Sequence, residues 1–163
     1  MSRGVLQDWA ANAGNPRSQL MLASFRFAQK LHHWPRAVRW IGLPYLAVYQ
    51  FLMYWELGIE LNYKAAVGPR LRLYHGYALV LHDDVVIGAD CTLRHCTTLG
   101  MRRGPDDCPV VGDRVDIGCN SVVLGHITIG DDARIGAGSV VLNDVAPGDT
   151  VAGNPARSLR KNS

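Results

Sequence analysis

Between Val111 and Ala146 the chain reads VGDRVD, IGCNSV, VLGHIT, IGDDAR, IGAGSV, VLNDVA, six hexads in unbroken register. Val111, Ile117, Val123, Ile129, Ile135 and Val141 open them. Four places after each opener stands a small or β-branched residue: Val115, Ser121, Ile127, Ala133, Ser139 and Val145. Gly takes the second position in four of the six. A six-residue period would smear these side chains around a helix, whose own period is about 3.6. Long strands fail as well, because Gly and Asp interrupt every unit. Short strands joined by tight corners remain. Three hexads then close a triangular coil of about 18 residues, with the openers turned into a shared core and the coils stacked by edge pairing.

The pattern continues upstream through LHDDVV, IGADCT and LRHCTT, with looser units VGPRLR and LYHGYA from Val67 and Leu73. Two extra residues, Leu79 and Val80, break its register. From Val67 to Leu159 the repeats supply about five coils. Between Leu99 and Val111 the pattern stops at GMRRGPDDCPV, and continuing it would put Arg103 inside, where an unpaired charge is too costly. Residues 100–110 are therefore expected to form an extruded loop, a common carrier of binding groups.

Ahead of the solenoid, Asn15-Pro16 is a helix start signal, followed by RSQLMLASFRFAQKLHH and by a second helical stretch from Arg36 to Leu57. The charge-free run from Trp40 to Trp55, interrupted by Pro44 and Gln50, is too short for a bilayer span of about 20 residues. Two readings stay open for this region: a cap over the open end of the solenoid, or shallow membrane contact with Arg26, Lys30, Arg36 and Arg39 near anionic head groups. The division expected is a helical region, 1–60, and a β-helical domain, 61–163.

With 163 residues, 48% of them hydrophobic, the chain supports one core with a helical appendage. A net charge of +3 from scattered Lys and Arg argues against nucleic acid as partner. The N-terminus carries Asp8 and lacks an apolar run of signal-peptide length, so a cytoplasmic protein is expected, with peripheral contact at the inner membrane face as the further option. Cys91, Cys96, Cys108 and Cys119 form no C-x-x-C pair or zinc-ribbon spacing, which reads as reduced structural thiols and no metal.

The segment GIELNYKAAVGPRLRLYHGYALVLHDDVVIGADCTLRHCTTLG, together with the hexads and the terminal VAGNPAR, resembles the serine acetyltransferases. It is more similar still to the acetyltransferases of bacterial exopolysaccharide synthesis, the colanic-acid type. The resemblance implies a left-handed parallel β-helix, a homotrimer with cofactor and acceptor sites between neighbouring solenoids, and acetyl-CoA as co-substrate. It places His75 of LYHGYA at the catalytic histidine. Acetyl transfer to an alcohol needs a base that titrates near neutrality to take the hydroxyl proton, which suits imidazole. Glu60, fifteen residues before, stands where the family has the Asp that orients that ring.

For coenzyme A the resemblance points to Cys119, Gly136, Ala137 and Gly138 along the pantetheine arm. Arg134 replaces the family's Lys, and Pro155 and Arg157 of GNPAR lie toward the nucleotide phosphates with Arg160 and Lys161. His82, His95 and His126 fall at corner-like positions; His95, one coil from His75, is the reserve base and an acceptor contact. A zinc carbonic anhydrase on the same solenoid would need converging histidines at a spacing this chain lacks, and retention of both His75 and Glu60 argues against an inactive scaffold.

The acceptor follows from departures. Where serine acetyltransferases place an Asp beside the catalytic His and a His before a Pro in the loop, this chain has Tyr74 and Cys108. Neither supplies the charge that holds a zwitterion. Tyr74 suits a sugar ring, and Asp106 and Asp107 could accept hydrogen bonds from sugar hydroxyls. The expected reaction is O-acetylation of a sugar in an exopolysaccharide or its lipid-linked precursor, with serine O-acetylation as the alternative.

Overall fold

The computed structural model describes residues 4–104 and 107–160. From Glu60 onward the chain winds as the triangular parallel solenoid expected from the hexads, the left-handed β-helix that the resemblance implies. The first sheet stacks Glu60–Leu61, Val80–Leu81, Thr98–Gly100, Val122–Leu124 and Val140–Val141. The second stacks Ala66–Val67, Val86–Ile87, Val110–Val111 and Thr128–Ile129. The third stacks Arg72–Tyr74, Thr92–Arg94, Asp116–Ile117, Arg134–Ile135 and Thr150–Gly153, and the antiparallel strand Ala156–Ser158 closes it.

All six openers are 3% exposed or less, and the residues four places on are buried too. One core therefore runs the length of the prism. Coil length varies at three points, the last of them a shortened turn in which Arg134 pairs with Thr150, sixteen residues on. Glu60 pairs with Val80, twenty residues on, because of the extra Leu79 and Val80. Thr98 pairs with Val122, twenty-four residues on, because residues 101–109 leave the solenoid as the extruded loop.

The corners are not built on the second-position glycines. The left-handed corner positions are filled mostly by other residues: Arg70, Asp90, Arg114, Asn120 and Asp132 all have φ near +60°. Asn and Asp tolerate this region. The second-position glycines serve coil stacking instead. A Cβ on Gly118 would lie 2.5 Å from the Ala137 backbone nitrogen of the next coil, so any side chain there would push the coils apart. On the edge between second and third sheets the corner residues alternate in charge, and Arg70 pairs with Asp90 and Arg114 with Asp132.

Helix α1 spans Pro16–His32, with the Asn15 side chain accepting from the Ser18 N–H and Pro16 in the first turn. The second stretch is broken into α2, Arg36–Arg39, a 3-10 turn at Trp40–Gly42, α3, Leu43–Phe51, and a π-turn at Leu52–Glu56. Met21, Leu22, Phe25, Leu31, Leu46, Tyr49 and Met53 join the solenoid residues Ile59, Leu61, Leu71 and Leu73 in one core, so the helices do cap the open end. The exposed edge of the Arg72–Tyr74 strand is satisfied by side chains from the N-terminal segment. Asp8 accepts from the Leu71 N–H, while Asn12 accepts from the Leu73 N–H and donates to the Leu71 carbonyl. Such capping removes an edge that would otherwise invite strand addition.

Arg26 departs from its expected place. It is 5% exposed, its Nε lies 2.7 Å from Asp8 Oδ2, and it donates to the Val67 and Gly68 carbonyls. A guanidinium so engaged holds the cap to the solenoid and cannot face lipid. Lys30 and Arg36 remain exposed. The outer side of α2 and α3 leaves Trp40, Ile41, Leu43, Val48, Phe51 and Trp55 more than half exposed. Among the described residues no helix is long and apolar enough to cross a membrane.

Candidate active site

The two extra residues that lengthen the first coil reshape one corner. Leu79 takes the inward place that Tyr77 would hold in an unbroken hexad, and Tyr77 turns out to 52% exposure. The chain gets there through three left-handed residues, His75 (φ 67°), Gly76 (φ 64°) and Ala78 (φ 49°). The Gly76 N–H donates to the Tyr74 carbonyl at 2.9 Å, so His75 sits at the centre of a three-residue γ-turn of the rare positive-φ kind. Conformations of this sort persist only where surrounding structure over-determines them, and they gather at functional sites. Here α1 supplies that support. The Ser18 hydroxyl donates to the Leu73 carbonyl at 2.7 Å, and Met21 packs beneath Gly76.

His75 heads one edge of the prism. The His95 ring lies 5.7 Å from the His75 ring, nearly perpendicular to it. Backbone bonds carry the edge onward: the Cys96 N–H donates to the Tyr77 carbonyl, the Asn120 N–H to that of His95, and the Gly138 N–H to that of Cys119. His75, His95, Cys119 and Ala137 thus stand on successive coils, spanning about 14 Å at the usual strand spacing. Beside the lower part of this edge a groove of about 310 Å³ is lined by Cys119, Arg134, Gly136 and Ala137, with the Arg94–Asp116 ion pair in its wall. Four of the residues expected to meet a cofactor share this one groove. Gly138, at φ 69°, forms the corner beside it, and a Cβ there would meet nothing within 4 Å. Gly136 has a different constraint, since a Cβ would come 2.8 Å from that of Ala152. Tyr74 is 43% exposed, with the Arg94 guanidinium 5.5 Å from its ring centre.

Other expected residues lie elsewhere. Glu60 is exposed on the first strand of the first sheet, and among the described residues no hydrogen bond joins it to His75. Cys108 is 5% exposed on the edge between first and second sheets, where its Sγ lies 3.3 Å from His82 Nδ1, so in one protomer it belongs to a different edge from Tyr74 and His75. Pro155 sits in the terminal hairpin. Arg157 lines a separate hollow of about 290 Å³ with Val141 and Asp149. Arg160 is tied to Asp149 at 3.2 Å. Lys161 and Asp106 lie outside the described residues. Asp107 is engaged by the backbone: one oxygen accepts from the Arg103 N–H and the other from the His126 N–H, and these bonds hold its carboxyl below the usual range. It is a clamp that fastens the extruded loop to the next coil.

Two residues at the His75 corner escape a reading of the hexads. Arg17, in the first turn of α1, lies over the Tyr77 ring with its Cζ 3.6 Å from the centroid. The register break at Leu79 and Val80 marks that corner in the sequence, but nothing there pairs Tyr77 with a residue sixty positions earlier.

Residues 108–143 match the bacterial transferase hexapeptide family model of six repeats. With the solenoid and the His75 edge described above, this chain belongs to the hexapeptide-repeat acetyltransferases. It is 37% identical over 130 residues to WcaB of Escherichia coli strain K12, whose name assigns it to colanic acid biosynthesis as an acetyltransferase; the match covers 77% of this chain and 80% of that one. Soybean serine acetyltransferase superposes with a TM-score of 0.79 at 30% identity, covering 96% of this chain and 67% of that one. Serine acetyltransferase of Brucella abortus strain S19, solved in complex with coenzyme A, gives 0.77 at 26% identity, covering 99% and 68%.

Proposed function

We propose that this chain transfers the acetyl group of acetyl-CoA to a sugar hydroxyl during assembly of a bacterial exopolysaccharide of the colanic-acid kind. The observation that carries this reading is the position of His75, thrown outward at the centre of a strained turn at the head of the edge that leads to the Cys119–Ala137 groove. A slender thioester arm laid along that edge brings its acetyl group toward His75. The imidazole takes the proton of the acceptor hydroxyl as the oxygen attacks the thioester carbonyl. A C–O bond forms and the C–S bond breaks. The coenzyme A thiolate leaves and takes the proton back from the imidazolium, and transfer is direct within a ternary complex.

Arg134, exposed in the groove wall, supplies a cation for the cofactor's phosphates, and Pro155 and Arg157 of the terminal hairpin serve the nucleotide end. Glu60 orients His75 in the complex with both substrates, where catalytic hydrogen bonds commonly tighten. Because Cys108 and the extruded loop leave from a different edge, they reach a His75 edge only on a neighbouring copy. A cyclic homotrimer gives three equal clefts of that kind. A lipid-linked acceptor at the cytoplasmic membrane face accounts for the exposed apolar side of α2 and α3.

Serine O-acetylation is the second reading, favoured by the serine acetyltransferases among the similar structures. Tyr74 and Cys108 stand against it, since neither carries the charge that would hold a zwitterion. Purified protein with acetyl-CoA, offered serine and cell-envelope oligosaccharides while thiol release is followed, separates the two. Serine turnover with kcat/KM on the order of 10⁴ M⁻¹s⁻¹ or better would sink the sugar reading.

A further inference from the structure

Arg17 is the cation at the His75 corner that no carboxylate meets. Arg26, Arg70, Arg94, Arg114 and Arg160 each have an aspartate within ion-pair distance. Arg17 makes no ion pair or hydrogen bond among the described residues, although its Nε is buried. Its compensation is the Tyr77 ring at 3.6 Å, and a cation over an aromatic face is worth only about 0.5–2 kcal/mol. The Nε is thus a buried donor left unpaired, while the outer nitrogens of the same planar fork stay open to solvent and can meet an anion. The other buried side-chain polar atom without a partner, among the described residues, is His95 Nδ1, whose ring stands 5.7 Å from that of His75. Both orphaned groups therefore belong to the same corner: Arg17 stacks on Tyr77, two residues after His75, and His95 stands one coil on from His75. Tyr77 itself is half exposed, so the ring offers a sugar an apolar surface while Arg17 covers one of its faces.

We propose that Arg17 and Tyr77 form an anionic-saccharide subsite of the acceptor cleft, with Tyr77 stacking on the sugar and Arg17 taking an oxyanion that the acceptor carries, with His95 hydrogen-bonding a hydroxyl beside His75. This inference rests on the sugar reading above and narrows it to acceptors bearing a carboxylate, as in a uronic acid, or a phosphate, as in a sugar linked to a carrier through phosphate. The planar fork of Arg17 matches either group. Its position in the first turn of α1 also gives the N-terminal region a part in specificity as well as in capping the solenoid.

The test measures binding of three probes by calorimetry with coenzyme A present: methyl glucoside, glucuronate and glucose 1-phosphate. The parent protein should bind at least one anionic probe about 10- to 100-fold more tightly than the neutral one. The tighter of the two identifies the carboxylate or the phosphate as the group held. Arg17→Gln should abolish the preference while leaving coenzyme A affinity, far-UV circular dichroism and oligomer mass unchanged. Should Arg17→Gln fail to fold, Arg17→Lys, which keeps the charge and loses the fork, should show a reduced preference. Equal binding of neutral and anionic probes, no measurable binding of either anion, or a preference that survives Arg17→Gln would overturn the subsite. Turnover separates this from the parent reading: acetylation of saccharides with no dependence on Arg17 removes the subsite alone, whereas acetylation of serine and of no saccharide removes both.

Discussion

The His75 and His95 rings stand edge to face with centroids 5.7 Å apart, on successive coils of one prism edge. Only His75 sits at a positive-φ turn, so the two imidazoles are unequally presented. His75→Ala should lower kcat by about 100- to 10,000-fold, the usual contribution of a general base, and leave coenzyme A binding intact. His95→Ala should act chiefly on the acceptor, raising its KM by about tenfold. Steady-state kinetics with both variants check this. Activity of His75→Ala within about twofold of the parent would transfer the role of base to His95.

The extruded loop depends on Asp107, whose two carboxylate oxygens bind the Arg103 and His126 N–H groups. Asp107→Ala should release the loop without unfolding the solenoid, since among the described residues of the loop Cys108 alone joins the core. Limited trypsin digestion, with cleavage after Arg102 and Arg103, should accelerate at least severalfold while the circular dichroism is unchanged. Unaltered cleavage would mean that other contacts fasten the loop.

The Arg–Asp ladder on the edge between second and third sheets sets an acid limit. Hydrogen bonding to Arg70 and to Arg114 holds the Asp90 and Asp132 carboxyls below the usual range. The folded chain thus holds these protons less tightly than the unfolded chain. The ladder's stabilisation is fully present above about pH 4 and disappears as pH falls through the depressed values. Both pairs are solvated and salt-sensitive. Denaturation midpoints of Asp90→Asn/Asp132→Asn should lie below the parent's at pH 7, and the gap should close toward pH 3 and in high salt.

The apolar face of α2 and α3 predicts contact with a bilayer. Trp40 at 67% and Trp55 at 81% exposure flank it, with Lys30 and Arg36 exposed nearby. Sedimentation with vesicles containing anionic phosphatidylglycerol should carry the protein down, less so with neutral phosphatidylcholine vesicles. Trp40→Ser/Trp55→Ser should lose most of the binding and keep its thermal stability, because neither ring is part of the core. Equal recovery of parent and variant would rule out this face as the point of contact.

The solenoid was legible from the hexads because inward and outward positions are a local property: each opener is buried wherever its coil happens to stack, and Asn15-Pro16 marks a helix start through its own backbone chemistry. The expected catalytic and cofactor residues His75, Cys119, Arg134 and Ala137 were implied by the resemblance to the serine acetyltransferases, with the hexads supplying only the register that aligns them. What they do together was not legible in the repeats. His75 to His95, His95 to Cys119 and Cys119 to Ala137 are twenty, twenty-four and eighteen residues apart, and they share an edge only because the Leu79–Val80 insertion and the loop lengthen two coils by the amounts they do. Arg26 looked like a surface cation until Asp8 and the Val67 and Gly68 carbonyls closed around it. Nothing in the repeat pairs Asp107 with the Arg103 and His126 N–H groups from which its oxygens accept. The meeting of Arg17 with Tyr77 joins residues sixty positions apart. Such contacts are made by packing α1 onto the end of the prism, and no periodicity along the chain encodes that distance.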